Sequence, residues 1–247
     1  MKIRSLLACL ALSATLSIGL SAEGQFLGNG PRDKFRDTSI LRPPAGSKIA
    51  ILVWEDLGCP ACARAHPFEL EATKQSHVLL VRRDFPLEAH IWTFQGAVLA
   101  RYIQDKISPQ LADQFRSDVF ASQSLISSKD DLYQFTSAWF QKHGRKMPSQ
   151  IDPSGALAKE VNADLELGKR LNIGFTPTVV VVTDKAYQVV CGTAEGANDP
   201  AQILPVVKAA LATVSGTAQK TGPKTLAGGV RSPEGRAGPP PVTSWPW

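Results

Sequence analysis

Cysteine is scarce in this 247-residue chain, which has four. Cys9 falls in the first apolar stretch and would leave with it as a cleaved signal, so that Cys59, Cys62 and Cys191 remain, an odd count in a compartment that favours oxidation, one pair and one remainder. No second Cys-x-x-Cys and no Cys/His pair accompanies Cys59 and Cys62, and this absence excludes a closed four-ligand zinc site. Long apolar runs are also missing. After Leu6–Leu20 nothing approaches the roughly 20 residues needed to cross a bilayer, so no membrane span is expected in the mature chain. The net charge of +5 dissolves when it is partitioned. Lys2 and Arg4 at one end, and Lys220, Lys224, Arg231 and Arg236 against Glu234 at the other, account for the excess. The middle is near neutral, which argues against nucleic acid as a partner. No internal repeat is apparent.

What is present begins with an address. A short basic start, an apolar stretch and the small residues of Leu20-Ser21-Ala22 read as a signal peptide over residues 1–22, implying a periplasmic or otherwise extracytoplasmic location. Cys9 stands too close to Met1 to be a lipoprotein site. Residues 23–47 form a polar leader. From about Gly216 to residue 247 Gly, Pro, Ser, Thr and Lys dominate, a composition that cannot bury a core and is expected to be disordered, with Trp245 and Trp247 its notable apolar groups.

Between these ends the pattern alternates. Lys48–Trp54 is a short apolar run of β-formers, Pro60 to about Lys74 favours helix with a bend at Pro67, and Val78–Phe85 reads as a second strand. Strand, helix, strand is a parallel crossover unit. Trp92–Lys106, Pro109–Ser122, Lys129–His143 and Gly155–Leu171 carry apolar residues at helical spacing and suggest an inserted all-α subdomain over 92–172. Phe115, Phe120, Tyr133, Trp139 and Phe140 are its expected core. Thr178–Thr183 and Tyr187–Cys191 form a hairpin, and Ala201–Val214 closes a second part over 173–215, complementing the first over 48–91.

Cys59-Pro60-Ala61-Cys62 stands at a strand-to-helix junction. Unpaired backbone N–H groups and the positive end of the helix dipole face the first sulfur and favour its thiolate, so Cys59 is the expected nucleophile and the less exposed Cys62 the resolving thiol. Pro60 suits an early helical position. Gly174-Phe175-Thr176-Pro177-Thr178 leads into the later strand. A cis Thr176–Pro177 bond there would set Pro177 beside the sulfurs and leave Thr176 backbone groups free to pair with an extended peptide. Pro60, Ala61, Thr176 and Pro177 are therefore candidate substrate contacts. An inert bridge is a poor staple for so short a loop. Cys59, Cys62 and His66, at helical offsets of three and four, offer an alternative metal-binding reading.

Taken with that order of elements, Glu55-Asp56-Leu57-Gly58-Cys59-Pro60-Ala61-Cys62, Arg83-Asp84-Phe85-Pro86-Leu87 and His90 give the stretch from Lys48 to Val214 a resemblance to the DsbA-like branch of the thioredoxin superfamily. The resemblance implies an α/β thioredoxin fold, a mixed sheet flanked by helices with an inserted helical subdomain. It also implies nucleophile, resolving cysteine and cis-proline at Cys59, Cys62 and Pro177. The implied function is exchange of disulfides with cysteine-containing exported proteins, oxidation ahead of reduction or isomerisation, with a redox partner that resets the pair, no cofactor, and a monomer. A binding module or metal chaperone using Cys59 and Cys62 is the alternative. The chain departs from the pattern in its Pro-Ala dipeptide, which has no histidine to add positive charge, and in the extra Cys191, expected to be a buried inert thiol. Glu55 and Asp56 are candidates for proton transfer from Cys62, although acids near a strand end are ordinarily solvated. His90 is expected to hydrogen-bond a loop.

Overall fold

The computed structural model describes residues 35–192 and 198–220; the expected signal segment, the first part of the leader and the tail from residue 221 lie outside them. Strand β1 (Ile49–Glu55) is buried along its whole length, as a strand covered on both faces must be. Helix α1 (Pro60–Ser76) begins one residue after Cys59, passes Pro67 and ends on His77 in the left-handed region, φ 55°. Strand β2 (Leu79–Asp84) then pairs parallel to β1.

Four helices follow: α2 (Thr93–Lys106), α3 (Pro109–Ala121), α4 (Lys129–Lys142) and α5 (Ala156–Leu171). Ser108 and Ser128 fix the starts of α3 and α4 by accepting the Leu111 and Asp131 backbone N–H at 3.2 and 3.0 Å. The hairpin is β3 (Thr178–Thr183) and β4 (Tyr187–Cys191). The last helix, α6 (Ile203–Lys220), runs past the expected boundary at residue 215.

The sheet order is β2-β1-β3-β4, with β3 antiparallel to β1 and β4 antiparallel to β3. Period-two alternation sends Ile49, Ile51, Val53, Val179 and Val181 to one face, where Ala72 of α1 and Ile203, Val207 and Ala210 of α6 cover them. Ala50, Leu52, Trp54, Val180 and Val182 go to the other, under Phe85 and Leu171. Each such fully buried Val or Ile stabilises the fold by roughly 1.5–3 kcal/mol. Helix α5 belongs to this second layer rather than to the insertion alone. A Cβ on Gly168 would lie 2.4 Å from Phe85 Cε2, so the residue must be glycine for the helix to seat.

Helices α2, α3 and α4 enclose a separate core of Leu99, Ile103, Phe115, Phe120, Trp139 and Phe140, and Leu57, Cys59 and Cys62 are part of it. Tyr133, expected there, is instead 57% exposed. The Cys-x-x-Cys segment is thus packed against the helical insertion, and the β1–β3 register pairs Trp54 with Thr178, bringing residues 176–177 alongside the chain as it leaves β1.

Candidate active site

Cys59 is the N-cap of α1 and Pro60 its first residue. Both thiols are free, and Cys59 is 8% exposed against 1% for Cys62, so the expected order of exposure holds while both are buried. The Cys59 Sγ lies 3.3 Å from the Thr176 carbonyl oxygen. The Thr176–Pro177 bond is cis. The Cys62 thiol donates toward Cys59 and, against the cost of burial, it acts with the Thr176 side chain and the Cys62 and Ala61 N–H groups to bring the Cys59 pKa down to about 5. The same contact works in reverse on Cys62, whose thiol is pushed well above its ordinary range by burial, by Cys59 and by Glu55, although the Asp56 N–H points at its sulfur from 3.5 Å. One thiol ionises at neutral pH while its neighbour keeps its proton.

Glu55 and Asp56, expected to be solvated, are 2% and 1% exposed. Neither carboxylate is loose. Asp56 accepts from the Gly58 and Leu87 backbone N–H at 2.7 Å each and stands 2.8 Å from His90 Nδ1, so it ties the approach to Cys59 to the β2–α2 connection, and His90 is the loop partner anticipated. Gly58 is required here because a Cβ would fall 2.7 Å from Thr93 Cγ2. Glu55 is held by Arg82 and Arg116, each at 3.2 Å. Two acids that would oppose a thiolate are therefore spent on arginines and backbone donors, and the charge effect of Glu55 falls on Cys62 rather than Cys59.

Gln123, in the turn after α3, was invisible to motif reading. Its Nε2 donates to the Leu57 and Cys59 carbonyls at 2.6 and 3.0 Å, clamping the segment from the insertion side. Arg101, Arg116 and Asp164 were likewise missed. Arg116 and Arg101 reach Asp84 at 2.8 and 2.6 Å, and Arg101 also pairs with Asp164. Burial raises the Asp84 pKa, yet the two guanidinium groups outweigh it and hold the carboxyl below its usual range. No periodicity signals such pairs, since each joins residues distant in sequence.

The set Cys59, Cys62 and His66 is not assembled as a metal site. Among the described residues His66 gathers instead with Glu55 and Glu69, their ligand atoms within 4.8 Å of one another. Arg82 Nη1 stands 3.2 and 3.4 Å from the two carboxylates, which places a cation of the protein's own where a metal would bind. Cys191 is fully buried, with its thiol pushed up to about 12 by burial, as expected of an inert sulfur. A groove of about 1180 Å³ follows β2 and the end of α1 and includes neither Cys59 nor Cys62. Exchange with a protein disulfide needs an accessible edge rather than a deep cavity.

A family model described as thioredoxin matches residues 44–197. The chain belongs to that family. Comparison with curated proteins finds no match. Among solved structures the chain is similar to the oxidoreductase NmDsbA1 from N. meningitidis, at 18% identity and TM-score 0.50, covering 72% of this chain and 89% of that one. It is also similar to Wolbachia pipientis α-DsbA1, at 18% identity and TM-score 0.52, covering 76% and 97%. A linker-deletion mutant of Proteus mirabilis ScsC gives 17% and 0.51, covering 68% and 72%. Likeness at this level establishes a shared fold. No helix among the described residues is long and apolar enough to cross a membrane.

Proposed function

We propose that this thioredoxin family member is an extracytoplasmic thiol-disulfide oxidoreductase acting on cysteine-containing exported proteins. The observation that carries the reading is the pairing of a low-pKa thiol at the start of α1 with a buried, protonated partner three residues on, beside the Thr176 carbonyl. In the reducing direction the Cys59 thiolate attacks one sulfur of a substrate disulfide. A Cys59–substrate bond forms, the substrate S–S bond breaks, and the departing thiolate takes a proton. Cys62 then loses its proton and attacks Cys59 Sγ, releasing the second substrate thiolate. The pair is oxidised by two electrons and the substrate reduced by two. Run backwards, the same steps oxidise a substrate dithiol, after which a separate redox partner must restore the Cys59–Cys62 disulfide.

Oxidation is the preferred net direction, because thiolate stabilisation lowers the energy of the reduced pair and so makes the disulfide a better oxidant. Pro60, Ala61, Thr176 and Pro177 are the surfaces a bound peptide would meet, with Thr176 backbone groups pairing in strand fashion. Exposed apolar side chains lie on each of the segments that touch the Cys59 loop: Phe175 at 55%, Ile91 at 62% and Leu125 at 76%. Such a rim suits incompletely folded polypeptide better than a small polar thiol.

The test is a pair of single substitutions. Cys59→Ser should abolish exchange, and Cys62→Ser should accumulate mixed disulfides through Cys59, seen as adducts on non-reducing gels of an exported-protein extract. Equal trapping by both variants would overturn the roles, and metal bound by the purified protein with no exchange would favour the chaperone alternative.

A further inference from the structure

Cys62, His66 and Glu69 stand at positions i, i+4 and i+7 of α1, one stripe of a helix, and all three are buried. Below Cys62 this stripe meets Glu55 from the end of β1, whose charge acts on the Cys62 thiol. The ligand atoms of Glu55, His66 and Glu69 are within 4.8 Å of one another. Arg82 of β2 spans the two carboxylates and Arg116 of α3 takes the other oxygen of Glu55.

The tautomer of His66 follows from its partners. Ser117 of α3 spends its single hydroxyl proton on the Asp113 carbonyl at 2.9 Å, so its oxygen can only accept from His66 Nε2, 2.8 Å away. Nε2 therefore carries the proton and Nδ1 offers a lone pair. That Nδ1 is buried with no hydrogen-bond partner and stands 3.9 Å from Glu69 Oε2. At the other end Ser117 is half-buried and Asp113 is exposed on the surface of α3. An acceptor aimed at a carboxyl group, with its opposite nitrogen donating toward the surface, is the arrangement of a proton wire.

We propose that Glu69, His66 and Ser117 form a path by which the Cys62 thiol proton leaves the interior, with Glu55 the first carboxylate it meets. The inference rests on the disulfide-exchange reading above. The Cys62 S–H bond breaks to leave the thiolate that attacks Cys59 Sγ, and the proton passes to the Glu55–Glu69 carboxyl pair. Glu69 then gives a proton to Nδ1 as Nε2 releases its own to the Ser117 oxygen and the Ser117 hydroxyl proton passes to solvent, leaving the imidazole neutral before and after and the hydroxyl restored. Burial, with the Glu55 charge adding to it and Arg82 opposing, lifts the Glu69 pKa to about 8, so the group carries a proton near neutrality and can both give and regain one. Burial together with Arg82 and Arg116 brings His66 down to about 3, so it passes protons without storing them. The charged and titratable groups around the path are Glu55, Arg82, Asp84, Asp113, Arg116 and, through its response to Glu69, Cys191.

The experiment is single-turnover reduction of glutathione disulfide by the full chain, quenched with acid at intervals and read by mass spectrometry, which separates formation of the Cys59 adduct from its resolution by Cys62. Glu69→Gln keeps the shape of a group that is neutral in place, and His66→Phe keeps a ring against Phe120. Loss of a positioned proton acceptor costs about 100-fold or more. Adduct formation should be unchanged in both variants, while resolution at pH 7 should slow on the order of 100-fold. In Glu69→Gln the break in its pH profile near 8 should vanish. Ser117→Ala, on the half-buried face of α3, should slow the same step while leaving the core intact. Resolution rates and pH profiles equal to the parent in all three variants would overturn the path and leave the exchange reading standing. A parent protein that forms no adduct would overturn both.

Discussion

At the scale of single residues the controlling asymmetry is between two sulfurs of the same type. Cys59 is held down to about 5 although the Ala61 side chain supplies no charge and no donor. The stabilising groups are the Cys62 thiol, Thr176 and backbone N–H groups, so the effect expected of a histidine in the dipeptide is partly replaced by partners elsewhere in the fold. Iodoacetamide labelling of reduced protein should therefore show a midpoint near pH 5, tracking the Cys59 thiolate, with Cys62 unreactive across the neutral range. Because the folded pKa is depressed from 9.0, the reduced form gains stability as pH rises from about 5 toward 9 and loses it as pH falls through about 5. A midpoint above pH 8 would contradict the stabilisation of the Cys59 thiolate by the Cys62 thiol and the Cys62 and Ala61 N–H groups. Among Cys-x-x-Cys pairs in general, a nucleophile pKa near 3.5 accompanies a potential of about −120 mV and one near 7 a potential of about −270 mV. The Cys59/Cys62 pair should equilibrate with glutathione between those two values.

At the scale of elements the helical insertion acts on the site through one turn. Gln123 donates to two carbonyls of the loop that carries Cys59, and neither contact is made by the sheet. A buried carbonyl that loses its donor costs about 1–3 kcal/mol. Gln123→Ala should lower urea stability by about that amount and also alter the Cys59 labelling rate, since the Leu57 carbonyl loses this donor while the Cys59 carbonyl keeps only the Ala63 N–H at 3.1 Å. Loss of stability with labelling unchanged would show that the clamp supports the fold without setting the thiol.

At the scale of the whole molecule a chain of buried charges joins strands and helices behind the cysteines. Glu55 of β1, Asp84 of β2, Arg101 of α2, Arg116 of α3 and Asp164 of α5 all have side chains no more than 7% exposed. Removing one member leaves another charge buried without its partner, at a cost of about 3–5 kcal/mol. Arg116→Met should therefore destabilise by about that amount, and because Glu55 and Asp84 lie on adjacent strands, sheet and insertion should still unfold in one transition. Two separate transitions in calorimetry, with only the insertion weakened, would mean that the charges do not couple the two parts.

The strands, the helices and the Cys-x-x-Cys site were legible in the sequence because each is written in local pattern. Thr178–Thr183 and Tyr187–Cys191 could be placed to the residue since β-formers and a turn delimit them, and Cys59 and Pro177 stood out by motif and by order. The burial of Glu55 and Asp56, the packing of α5 on the sheet, the exposure of Tyr133 and the roles of Gln123, His66, Arg101 and Arg116 were not legible. A carboxylate near a strand end is solvated or buried according to whether distant arginines arrive to pair with it, and those partners come from α3 and β2, many residues away. Local periodicity determined which elements this protein makes and where its thiols begin. Only tertiary structure decided which charges are desolvated together, and with them which sulfur holds its proton.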